Sequence, residues 1–299
     1  MVSGSKRLKM KRNILSALLI LLITLTGFTQ KFNPDKEIYM LVRGDDIGSS
    51  HAANLGCIES YRNGIMRSVE LMPPCPWFPE AVKMLKDNPD LDVGIHLALT
   101  SEWENMKWGP LTDAPSISDE DGYFYPMVWK REDFPPNTSM QEAGWDIEEI
   151  ERELRAQIEL ALKYVPWASH AGIHMGAAGL DEEIGAVVAR LRKEYDLDID
   201  MGPYDFKRFG GWGDAGTLAE RITNFAAALE QLEPGFYLFV DHPAVDNPEM
   251  RAIWHTGYED VAVDRDWVTR VFTSEKVKHV IKKKGINLIS YKDLKDQDQ

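Results

Sequence analysis

Strand-like apolar runs alternate with amphipathic helical stretches along most of this chain, and that alternation restricts the fold more than any other feature. Glu37–Arg43 is apolar and partly β-branched, as a strand requires. Gly44–Gly48 reads as the loop at its C-terminal end. Ser50–Arg62 then places Ala53, Cys57, Ile58 and Tyr61 on one helical face. Ile65–Met72 reads as a strand, Trp77–Asp87 as a short helix and Asp92–Leu99 as a third strand. Residues 101–138 are irregular and rich in Pro, Trp and Asp, and loops of that length are usually functional or mobile. Ile147–Tyr164 is a helix with Ile150, Leu154, Ile158 and Leu162 recurring at helical spacing. Trp167–His174 is a strand and Leu180–Tyr195 a helix, with a short strand near Ile199 and Met201. Leu218–Leu232 is helical, Gly235–Asp241 a buried strand, Trp267–Lys283 a helix and Ile286–Ser290 a last strand. This order predicts an α/β fold on a parallel sheet, a barrel or an open sheet with helices outside. One domain is expected over residues 33–295.

The first thirty residues follow another logic. Lys6, Arg7, Lys9, Lys11 and Arg12 precede an almost wholly apolar run from Ile14 to Phe28. A basic cluster followed by about 15 apolar residues reads as a secretory signal peptide over residues 1–30, and the run is short for a spanning helix. An uncleaved membrane anchor is the other reading. Both place the domain outside the cytoplasm, secreted or periplasmic. In such an oxidising compartment Cys57 and Cys75 could pair, and two buried free thiols are the alternative. The formal net charge of −14 excludes nucleic acid as a partner, because phosphate binding needs clustered Lys and Arg. No membrane partner is expected beyond the signal or anchor.

Parallel α/β folds gather active groups at the C-terminal ends of their strands. Four of the predicted strands end in suitable side chains: Asp45-Asp46 on the first, His96 on the third, His170 and His174 on a later one, and Asp241-His242 on the strand beginning at Gly235. The chain has only seven His, and four of them fall at or near these ends. Two imidazoles and a carboxylate suit a divalent metal with positions left open for water. A second carboxylate next to the first can act as a base, since neighbouring side chains on a strand point in different directions. His51 and His255 read as surface residues.

The segments Arg43–Ser49, Asn63–Ser68, Gly94–Thr100, Ser169–Met175 and Asp241–Ala244 resemble, in order, the motifs of the YdjC-like carbohydrate deacetylases, which include chitooligosaccharide deacetylases. The resemblance spans about residues 38–290. It implies a distorted (β/α) barrel of the polysaccharide deacetylase type, with a divalent metal, Zn or Mg, on Asp46, His96 and His174. It implies Asp45 as catalytic base and His242 as general acid in removing acetyl groups from an N-acetylated sugar. A small-molecule or oligosaccharide substrate is the implied partner. Where the family reads Thr-His-x-Asp-Ser-His, this chain has Gly172 and Ile173 in place of Asp and Ser, so a polar group supporting the ligands is expected to be lost.

The loop at 101–138 adds Trp103, Trp108, Tyr123, Phe124, Tyr125 and Trp129, which serve either as sugar platforms or as packing. Glu102, Trp103 and His170 are the expected substrate-binding residues. Two other classes share these features: a 2-His-1-carboxylate oxygenase, and a non-catalytic carbohydrate-binding protein on the same fold.

Overall fold

The first strand, β1 (Ile38–Ile47), is the hub of the molecule. Nine of its ten residues are buried, which explains its unbroken apolar start: a parallel strand covered on both faces has no solvent side to make polar. A computed structural model describes residues 32–297, and the expected signal peptide or anchor lies outside them. From Asn33 onward the chain packs as one compact unit. Among the described residues no helix is long and apolar enough to cross a membrane.

After β1 come α1 (His51–Arg62), β2 (Ser68–Leu71), α2 (Phe78–Lys86), β3 (Asp92–Leu97), α3 (Ile147–Tyr164), β4 (His170–Ile173) and α4 (Glu182–Glu194). Then follow β5 (Lys207–Arg208), α5 (Leu218–Glu230), β6 (Gly235–Asp241), α6 (Val261–Phe272), α7 (Glu275–Lys284), β7 (Ile286–Ile289) and α8 (Tyr291–Lys295). Every ladder is parallel. The order is β4-β3-β2-β1-β6-β5, with β7 also on β1. One edge of β1 carries β6, while on the other β7 runs beside Ile38–Leu41 and β2 beside Arg43–Ile47. The sheet curls into a half-barrel with helices outside, as the α/β barrel expectation requires. Among the described residues β4 and β5 do not pair, so the barrel is open at that seam.

Several expectations need correction. No strand forms at Ile199 or Met201; the short strand is β5, six residues further on. The helix expected over Trp267–Lys283 is two helices, α6 and α7, and α6 begins at Val261. Strand β1 does not stop at Arg43. It continues through a bulge between Gly44 and Ile47, with Asp46 in the left-handed region at φ 72°. Of the two readings of Cys57 and Cys75 the structure has the second, since both are buried free thiols.

The 101–138 segment has one 3₁₀ turn, Pro115–Ile117, and is otherwise irregular. It is nonetheless packed down. Trp103, Trp108, Phe124 and Val128 are buried in one cluster with Ile150, Leu154 and Ile158 of α3. Gln157 of α3 gives its amide to Ala98 O (2.8 Å) and accepts from Ala98 N (2.9 Å), which pins the chain just beyond β3. Tyr123 and Trp129 remain exposed, so packing claims some of these aromatics and leaves others free.

Helix α1 is seated by a close approach. A Cβ on Gly56 would lie 2.4 Å from Ala244 Cα and 2.5 Å from its nitrogen. Gly56→Ala gains helix propensity of about 1 kcal/mol, but overpacking costs about 1–3 kcal/mol and backbone cannot rotate aside. The variant is expected to unfold at lower denaturant. It should also lose turnover, because the displaced backbone follows directly on His242 and Pro243. Unchanged denaturation and unchanged rate would show that the 243–244 segment yields freely.

Candidate metal centre

Because all strands run the same way, the ends of β1, β3, β4 and β6 meet on one rim. Asp46, His96 and His174 come together there, all buried, with their potential ligand atoms within 4.8 Å of one another. Asp46 Oδ1 is 3.6 Å from His96 Nε2 and 3.5 Å from His174 Nδ1. The two ring nitrogens are 3.3 Å apart. Asp46 Oδ1 is buried without a hydrogen-bond partner. Such an orphan is costly unless something else meets it, and a cation would.

The far sides of both imidazoles face carboxylates. His174 Nε2 donates to Glu102 Oε2 at 3.0 Å, which leaves Nδ1 as the nitrogen facing Asp46. His96 Nδ1 lies 3.5 Å from Glu70 Oε2. Metal-binding imidazoles commonly have such partners, which fix the tautomer. The donor set therefore fits a divalent ion. Burial works against ionised Asp46, but His242, Arg265 and His174 outweigh it and hold the carboxyl well below the usual range. Burial likewise works against a proton on His174, while Glu102 and Asp46 outweigh it and push its pKa up to about 10.

That last value sets a pH dependence. In the metal-free protein the proton on His174 stabilises the fold fully below the unfolded pKa near 6.5, and this contribution fades as pH rises through about 10. A metal must displace that proton. Uptake near pH 7 is expected to release about one proton from this site, with affinity rising about tenfold per pH unit between 6 and 9. Calorimetry in buffers of different ionisation enthalpy measures the release. Affinity independent of pH would remove His174 from the ligand set.

Asp45 and Asp46 diverge because of the bulge and the left-handed backbone at Asp46, rather than by simple strand alternation. Asp45 turns to Arg43, which donates from Nη2 to Oδ2 at 2.9 Å and brings Nε within 2.7 Å of Oδ1. Asp45 Oδ2 also faces His96 Nε2 at 3.9 Å. His242 stands at the mouth with its side chain 37% exposed, Nε2 3.9 Å from Asp46 Oδ2 and Nδ1 3.6 Å from Asp241 Oδ1. Burial works against its imidazolium, and the facing Asp46 carboxylate outweighs it, raising the pKa.

The three residues expected to bind substrate are all buried. Glu102 is buried and serves His174. Trp103 is buried against His255, its ring 5.3 Å from the imidazole, and the Arg265 guanidinium lies 5.0 Å over its face. His255, expected at the surface, is thus buried beneath Trp103. His170 is enclosed by Glu70 (3.0 Å), Ser169 Oγ (2.7 Å) and the Tyr291 ring (centroids 4.0 Å apart). Two residues of the centre were not expected from sequence. Arg265 of α6 is buried and donates from Nη1 to Asp46 Oδ2 at 3.0 Å. Glu70 of β2 is wholly buried beside His96, His170 and Arg43. Each left a trace in the sequence: a lone charge on the apolar stripe Val261, Ala262, Val268, Phe272, and a lone charge inside a buried strand.

Comparison with known proteins agrees with this architecture. A carbohydrate deacetylase of Clostridium beijerinckii is 30% identical over 267 residues, covering 85% of this chain and 99% of its own. One from Thermus thermophilus is 30% identical over 247 residues, covering 74% of this chain and 84% of its own. A crystal structure from Enterococcus faecalis, provisionally assigned to cellobiose-phosphate cleavage, has the same fold, with a TM-score of 0.67 at 24% identity over 87% of this chain and 99% of its own. A family model described as YdjC-like protein matches residues 39–283. A match over so much of the compact unit decides membership, and the chain belongs to the YdjC-like protein family.

Proposed function

We propose that this chain is a metal-dependent deacetylase that removes acetyl groups from N-acetylated sugars or oligosaccharides. One observation carries the reading: Asp46, His96 and His174 converge at a buried point, with Asp45 and His242 on either side. The relatives named carbohydrate deacetylase support the substrate class. Two imidazoles in the donor set favour a zinc-like ion over magnesium, which prefers oxygen ligands.

Bound on these three residues, a divalent ion supplies Lewis-acid polarisation of the acetyl carbonyl and a more acidic water. The remaining work falls to the chain. Glu102 holds His174 in the tautomer that presents Nδ1. Asp45 takes the proton of the attacking water. Because Arg43 holds Asp45 Oδ2, the contact must lengthen as that oxygen accepts. His242, whose pKa the facing Asp46 carboxylate raises and whose side chain is partly open to solvent, is the group placed to deliver a proton to the departing amine, which leaves poorly without one. Trp129 is an exposed aromatic beside the turn that begins at His174, its ring 3.6 Å from where a Gly176 Cβ would stand, and it offers a sugar ring a flat face. Export from the cytoplasm, secreted or periplasmic, is part of the proposal and rests on Lys6–Phe28.

The test is an acetate-release screen over N-acetylated and O-acetylated sugars with a panel of metals. Release from N-acetylated sugars that a chelator abolishes is expected. Oxygen consumption coupled to substrate turnover, or tight sugar binding without acetate release, would overturn the reading.

A further inference from the structure

Glu70, Gly94 and His170 stand in one row across three parallel strands, since Glu70 pairs with Gly94 and Gly94 with His170. Neighbouring strands are about 4.8 Å apart, so residues two strands away do not normally touch over a middle side chain. Here the middle residue has none. A Cβ on Gly94 would lie 2.4 Å from His170 Nε2 and 2.9 Å from Glu70 Cδ. The gap lets Glu70 reach His170 at 3.0 Å. The next row repeats the device. His96 pairs with Gly172, and a Cβ on Gly172 would meet Glu70 Oε1 at 2.8 Å and Oε2 at 2.9 Å. Two strand positions are thus clear of side chain around a single buried carboxylate.

The oxygens of Glu70 are divided. Oε1 takes His170 at 3.0 Å and Arg43 Nη1 at 3.4 Å. Oε2 and His96 Nδ1 each lack a hydrogen-bond partner and face one another at 3.5 Å. A carboxylate accepts only, so it selects the His96 tautomer with the proton on Nδ1, and that leaves Nε2 with its lone pair free for a metal beside Asp46.

We propose that Glu70 is a positioning residue of the metal centre, delivering from β2 the carboxylate that orients His96, and that Gly172 is glycine because Glu70 fills its side-chain space. This rests on the metal-dependent reading above. It also reverses the expected loss at Gly172: the polar support is present but comes from another strand.

The experiment uses the full chain and Zn²⁺ as probe, without acetate release as readout. Zn²⁺ affinity is measured by chelator competition, and the His96 tautomer by ¹⁵N chemical shifts of the metal-free protein. Glu70→Ala is expected to weaken Zn²⁺ about 10–100-fold. The isosteric Glu70→Gln should weaken it less and shift His96 away from the Nδ1–H form. The double variant Glu70→Ala/Gly172→Asp should regain most of the affinity, since a carboxylate again occupies the shared space. Unchanged affinity and tautomer in Glu70→Gln overturn the assignment, as does a folded double variant no better than Glu70→Ala. If the double variant does not fold, Glu70→Gln decides alone. Wild-type protein that takes up no Zn²⁺ overturns the metal reading beneath the proposal, whereas wild-type uptake with an unaltered Glu70→Gln overturns the proposal only.

Discussion

Replacing Asp46 with alanine is expected to empty the metal centre and, separately, to destabilise the metal-free fold by about 3–5 kcal/mol. The two effects have different causes. Asp46 Oδ1 faces both imidazoles, so its loss removes one of three donors. Affinity should fall by more than about 100-fold, beyond what loss of a supporting group costs. Asp46 Oδ2 accepts from Arg265, which is buried under Trp103. Without Asp46 that guanidinium remains buried and uncompensated, and alanine adds strain at the left-handed backbone. Urea denaturation of the metal-free variant reads the second effect. The double variant Asp46→Ala/Arg265→Met separates them: it should recover much of the stability and none of the metal. A single variant within about 1 kcal/mol of wild type would mean that Arg265 finds other partners or water.

Asp45→Asn is expected to keep full metal stoichiometry while kcat falls about 10²–10⁴-fold, the range for loss of a general base. The amide has the shape of the carboxylate and can still accept from Arg43, so the local structure should hold. What it cannot do is take a proton. A fall of less than tenfold would remove Asp45 from the base role. Metal loss in this variant would instead make Asp45 a ligand beside the three groups whose ligand atoms converge.

The parts of this fold legible in the sequence are those set by local chemistry. Helix α3 occupies the expected Ile147–Tyr164, because Asp146 caps it and Ile150, Leu154 and Ile158 form its inner stripe. The parts that were not legible are set by distant partners. Strand β5 is two exposed basic residues with no strand-like pattern, and it exists because Tyr237 and Leu238 pair with it. The break between α6 and α7 falls at Thr273-Ser274, where no Gly or Pro marks it. The expected start at Trp267 instead of Val261 left Arg265 outside the helix and hid the apolar stripe on which it sits. In the site, Asp45, Asp46, His96, His174 and His242 were legible because a parallel sheet carries its strand ends to one rim. Glu102 and Trp103 were expected to line the pocket because they follow His96 closely; like His170 they are buried, each against a residue of the centre.

The left-handed backbone at Asp46 has a consequence for how this centre can change. The conformation favours Gly, Asn, Asp and His over other side chains. A metal of this kind asks for a carboxylate, an imidazole or a thiolate at that position. The overlap of the two alphabets is aspartate and histidine, and of these only aspartate also brings the oxygen that accepts from Arg265. Glutamate would satisfy the ion and strain the chain; histidine would leave the buried Arg265 without its carboxylate; glycine and asparagine would satisfy the chain and fail the ion. Retuning toward another metal, in the laboratory or over generations, therefore has to proceed through His96, His174 and the carboxylates behind them, with Asp46 held constant.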